Sequence, residues 1–161
     1  EVREVRSVES ARVRSVEVER PDRAADVAEQ VRALQLGDGT ELMLFEIRNA
    51  DGDTDPVSSG TAIAVDGRTR SFARADFQID VLRHWTSPTD GTRYPAAWRV
   101  RLPGESLDLQ IEPVMADQEM RTAFTYWEGA VRVTGERAGQ TISGRGFVEL
   151  TGYAGSMQGV F

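Results

Sequence analysis

At 161 residues with 40% hydrophobic side chains, the chain is long enough for one real core and short for two. Its formal charge of -7 argues against nucleic acid and other polyanionic partners, which select basic stripes. The lack of cysteine excludes disulfides, zinc–thiolate centres and cysteine nucleophiles.

The first residues, Glu1-Val2-Arg3-Glu4-Val5-Arg6, hold no apolar core of signal-peptide length. No apolar run reaches the roughly 18 residues of a membrane helix, so a soluble, cytoplasmic protein without membrane insertion is expected. Val13, Val16 and Val18 sit in a β-branched, Arg/Glu-rich stretch that predicts an edge strand from Arg12 to Glu19. Asp22 to Val31 carries Ala and Val at helical spacing behind an Asp able to cap, which predicts a short helix or lid.

From Leu34 onward short strands alternate with turn signals, the pattern of an antiparallel sandwich or barrel. Gly37-Asp38-Gly39 between Leu36 and Glu41 reads as a hairpin turn. Further breaks fall at Asn49 to Asp53, Asp66-Gly67, Ser87 to Gly91, Pro103-Gly104 and Arg137-Ala138-Gly139. Strand periodicity then assigns faces. Trp98, Val100 and Leu102 share the inner face against Arg99 and Arg101. Leu107, Leu109 and Ile111 repeat the pattern, and Trp127, Val131 and Val133 point inward with Glu128 and Arg132 outside.

Several blocks carry a resemblance over residues 33–161: Leu42-Met43-Leu44-Phe45, Asp55-Pro56, Ser58-Ser59-Gly60-Thr61, His84-Trp85-Thr86-Ser87-Pro88, Tyr94-Pro95, Trp98, Asp117-Gln118-Glu119, Tyr126-Trp127-Glu128-Gly129 and Glu149-Leu150-Thr151-Gly152-Tyr153. In this order they resemble the lipocalin-like carotenoid 1,2-hydratase/AttH family, in particular the second of its two barrels. The resemblance implies an all-β, lipocalin-like antiparallel barrel forming one domain over residues 1–161, with a divergent segment at 1–32. Because the family pairs two barrels, it also implies that a lone barrel can form a homodimer. Family members carry a Trp-Met-Asp-His-Glu-like and then a Gly-Trp-Asp-Trp-Phe-like segment. These fall near Val13-Arg14-Ser15-Val16-Glu17, where only Glu17 survives, and on Ala28-Glu29-Gln30-Val31-Arg32.

Protonating an isolated alkene needs a carboxylic acid kept protonated in an apolar pocket. Glu128, Glu149 and Glu119 are the candidates. Against this, strand alternation sends Glu128 to solvent, Arg132 and Arg145 offer ion pairs, and Glu119 suits a turn or ion pair. Tyr126 is a candidate phenol donor beside Glu128. The single histidine, His84, cannot build a multi-histidine centre, and neither a metal nor a cofactor is expected. Trp85, Tyr94, Trp98, Trp127 and Tyr153, with Met43 and Phe45, are the candidate substrate-lining set, for which core filling is the competing reading.

Relatives of this family range from water addition to pericyclic ring closure. The expected function is therefore a cofactor-independent cyclase of Diels–Alderase type that folds a polyene or polyketide intermediate in natural-product biosynthesis. An acid-catalysed isoprenoid hydratase or cyclase and a non-catalytic carrier of an apolar ligand are the alternatives. In each case the partner is a hydrophobic small molecule.

Overall fold

A computed structural model describes residues 28–49 and 51–155. These form ten strands: β1 (Ala28–Leu36), β2 (Glu41–Arg48), β3 (Ser59–Ile63), β4 (Thr69–Ala73), β5 (Gln78–Thr86), β6 (Arg93–Leu102), β7 (Leu107–Pro113), β8 (Glu119–Arg121), β9 (Thr125–Arg137) and β10 (Gln140–Thr151). All pair antiparallel in one sheet, in the order β4-β3-β2-β1-β10-β9-β7-β6-β5. The long strand β9 takes β7 along its second half and β8 along its first.

Laid flat, nine strands would separate the edges β4 and β5 by about 38 Å, at the usual interstrand spacing. Only residues 74–77 join those edges, and so short a link spans no more than about 18 Å. The sheet must therefore curl, and it does so into a half-barrel, the lipocalin-like form expected from the sequence. No hydrogen-bonded ladder joins β4 to β5 among the described residues.

The concave side holds the core: Leu34, Leu36, Leu42, Leu44, Phe72, Phe77, Trp98, Leu109, Ile111, Trp127, Val131, Val148 and Leu150 are among its buried members. Inward and outward residues of β6, β7 and β9 fall as alternation assigned them. The predicted turns are also found. Gly39 (φ 82°), Gly67 (φ 81°) and Gly91 (φ 79°) adopt left-handed backbone in three of them. Where the β1–β2 and β9–β10 hairpins meet, Arg137 pairs with Asp38 and donates to the Thr40 hydroxyl at 2.8 Å.

One expectation is corrected. Residues 28–31 do not continue a helix; they open β1, where Ala28 to Val31 pair with β2 and all but Ala28 also with β10. Helical spacing of Ala and Val is a weak preference, and a ladder on both sides overrides it. The strand predicted over Arg12 to Glu19 and the rest of the predicted helix lie outside the described residues.

Candidate functional site where the first strand begins

The start of β1 and the end of β2 break the apolar inner face. Leu34 and Leu36 point inward, so the two-residue period carries Arg32 and Gln30 inward too, and both are fully buried. Directly across from Gln30 on β2 stands Glu46, also fully buried.

These side chains form a chain of contacts. Gln30 Nε2 donates to the Tyr153 hydroxyl at 2.7 Å, and Arg32 Nη2 donates to Gln30 Oε1 at 2.5 Å. The Arg32 guanidinium lies 5.5 Å from the centre of the Trp98 ring. Burial lowers its pKa to about 10, well below the ordinary arginine value, partly offset by the Glu46 carboxylate. Glu46 itself has two further cations near it, Arg48 Nε at 3.4 Å and Arg74 Nη2 at 3.7 Å.

Several buried polar atoms here have no hydrogen-bond partner among the described residues: Arg32 Nε and Nη1, Trp98 Nε1 and both Glu46 oxygens. An unmet buried donor or acceptor costs about 1–3 kcal/mol, so the three N–H groups alone weigh on the fold by about 3 kcal/mol or more.

An aromatic and polar rim adjoins this cluster. Trp85 stacks on Tyr94 with centroids 6.0 Å apart, and Tyr94 meets Tyr153 at 5.6 Å. The Tyr94 hydroxyl donates to Glu119 Oε1 at 3.1 Å, and the Ser87 hydroxyl donates to Glu119 Oε2 at 2.9 Å. Arg121 closes an ion pair on the same carboxylate. Burial and Glu119 raise the Tyr94 pKa, and burial raises that of Tyr153, so both phenols stay protonated as donors. Glu119 thus takes the ion-pair role foreseen for it, with a side chain only 1% exposed.

Among the other predicted site residues, Trp98 and Trp127 are fully buried and pack on each other at 6.4 Å, with Trp127 Nε1 donating to the Ala116 carbonyl at 3.0 Å. Tyr126, Glu128 and Glu149 stand together on the outer face. There the Tyr126 hydroxyl donates to Glu128 Oε2 at 3.0 Å, and Glu149 sits across from Glu128. Partial burial, Glu128 and Glu29 raise the Glu149 pKa. Met43 and Phe45 also face outward, since Leu42, Leu44 and Glu46 hold the inner positions of β2. Met43 is 54% exposed and borders an outer groove of about 840 Å³ with Ile63, Val114 and Phe147. His84 is exposed and within 3.1 Å of Arg93. Among the described residues, no three His, Asp or Glu side chains are placed to hold a metal ion.

The model of the AttH-like family matches residues 26–153. The chain belongs to the AttH-like family. This AttH-like chain is also similar to two solved structures. An AttH-type protein from Nitrosomonas europaea is 36% identical, with a TM-score of 0.68 over 84% of this chain and 41% of that one. Kievitone hydratase from Nectria haematococca shares the fold at 17% identity, with a TM-score of 0.66 over 81% of this chain and 40% of that one. The AttH-like chain therefore spans about two fifths of the length of each. No curated protein matches it.

Gln30, Arg32 and Glu46 were missed as site residues. The signal was present: the Leu34-Gln35-Leu36 phase extends back to residues 32 and 30, inside the segment aligned with Gly-Trp-Asp-Trp-Phe. Gln30 stands at the position of that motif's acid.

Proposed function

We propose that this chain is a hydratase- or cyclase-type enzyme acting without a cofactor on an unsaturated, largely apolar substrate. The reaction takes place at the Gln30–Arg32–Tyr153 end of the half-barrel. The observation that carries this reading is the Tyr153 hydroxyl. It accepts a hydrogen bond from Gln30 and keeps its own proton to donate. A fixed phenol donor aimed at a carbonyl conjugated to an alkene withdraws electron density from the double bond and stabilises the charge that develops as the bond reacts. Ring closure within the folded substrate then needs only position and that one hydrogen bond.

Ring closure is the finer reading, because the inward neutral Gln30 replaces an acid and Glu128 and Glu149 lie on the outer face. Water addition to the polarised alkene is the second reading, favoured by the shared fold with kievitone hydratase.

The test is incubation with conjugated polyene ketones and acids, followed by mass analysis. Ring closure gives an isomer of the substrate, hydration a product heavier by one water. Tyr153→Phe is expected to lower kcat by about 10²-fold, as for loss of an oxyanion donor, whereas Glu128→Gln and Glu149→Gln leave the rate unchanged. Recovery of every substrate unaltered would favour a carrier and overturn the assignment.

A further inference from the structure

We propose that Arg32, with the indole N–H of Trp98, forms an internal site for the oxyanion head of an amphiphilic ligand, a carboxylate or ionised 1,3-dicarbonyl enol bearing an apolar tail. This deepens the interior reading above by naming the substrate class.

Three observations converge. First, Arg32 is fully buried, and among the described residues its Nε and Nη1 groups have no hydrogen-bond partner, nor has Nε1 of Trp98, the ring over which the guanidinium lies. These groups donate and cannot accept, so an oxygen acceptor is what they fit. Second, the local charge is opposite to that of the whole chain. Arg32, Arg48 and Arg74 surround one carboxylate, Glu46, in a protein of net charge -7. Gln30, Tyr94 and Tyr153 are neutral, and Glu119 on the adjoining rim is matched by Arg121. Three arginines about one Glu46 carboxylate favour an added negative charge there over a further cation.

Third, the surroundings suit a tail. Val81, Trp85, Tyr153 and Ala154 are partly buried and pack along the edge of the core. Arg48 and Arg74 remain 33% and 30% exposed, so the charged cluster reaches solvent on the Glu46 side. An anchored head places the tail against the aromatic run of Tyr153, Tyr94 and Trp85. That is where the Tyr153 hydroxyl meets it.

Binding is measured without turnover, so that its failure is separate from any failure of catalysis. The probes are dodecanoate, an ionised 2-acyl-1,3-cyclohexanedione and neutral dodecanol, followed by tryptophan fluorescence and calorimetry. At least one anion is expected to bind the unmodified protein about 10- to 100-fold more tightly than dodecanol, the range of a charge-assisted hydrogen bond. Arg32→Gln is expected to erase that preference while leaving dodecanol binding in place, and Tyr153→Phe to retain it. Equal binding of all three probes by the unmodified protein overturns the proposal without recourse to any variant. So does an undiminished preference in folded Arg32→Gln.

Discussion

Replacing the buried polar pair by hydrocarbon, Gln30→Leu with Arg32→Met, is expected to stabilise the ligand-free protein. The lowering of the Arg32 pKa to about 10 corresponds to about 3 kcal/mol against the charged form. The double change removes that penalty together with the unmet Arg32 donors. Changing Arg32 alone would strand Gln30 Oε1, which is why both are replaced. Against the gain stand the lost cation–π contact with Trp98, about 1–2 kcal/mol when desolvated, the lost hydrogen bond from Gln30 to the Tyr153 hydroxyl, about 1 kcal/mol, and the lost attraction to Glu46, which retains Arg48 and Arg74.

The net expectation is about 1–3 kcal/mol of added stability, within the range seen when buried ionic groups give way to packed apolar ones. For a chain of this size that is a rise in Tm of roughly 2–12 °C. Urea unfolding followed by tryptophan fluorescence measures it, with an unchanged slope showing that the same surface is exposed. The sign with pH is also fixed. Because the folded pKa is depressed, the penalty is fully present below about pH 10 and is relieved only as pH rises above that. The gap between variant and parent must therefore be flat from neutral pH to about pH 9. A variant less stable than its parent by more than about 1 kcal/mol would refute the reasoning and make Arg32 a structural residue.

Two further outcomes are expected. All three tyrosines have raised pKa values, Tyr94 and Tyr153 mainly through burial and Tyr126 through its bond to Glu128. Native protein near pH 10 should thus show far less tyrosinate absorbance than unfolded protein. Because the folded phenols hold their protons longer, stability should fall as pH climbs past 10. Gly135→Ala should destabilise by about 2–3 kcal/mol in chemical denaturation, since a Cβ there would lie 2.1 Å from the Asp108 carbonyl oxygen on the paired strand and only backbone movement relieves it. Unchanged stability would mean that β7 and β9 are not held at that spacing.

Most of the fold was legible because a sheet buried on one face writes a period of two into the chain. Trp98, Val100 and Leu102 reveal their side by alternating with arginines, and the same signal placed Trp127 inward and Glu128 outward. The aromatic count misled where phase was ignored. Met43 and Phe45 share a block with Leu42 and Leu44 yet occupy the opposite face.

The polar site was hidden for a related reason. An arginine in a strand is ordinarily evidence for the solvent face, so Arg32 argues against its own position until Leu34 and Leu36 fix the phase. Gln30, Arg32 and Glu46 are where the inner face departs from hydrophobic alternation. The pairing of β1 with β2 puts Gln30 opposite Glu46 and lets Arg32 reach Gln30. Such a departure on one strand reads as an error of phase. Two on adjacent strands, meeting at one end of the half-barrel, cannot both be undone by shifting the register, because each shift would expose Leu34 or Leu44. The leucines thus hold the polar groups inside, and the interior chemistry of this chain follows from its hydrophobic pattern.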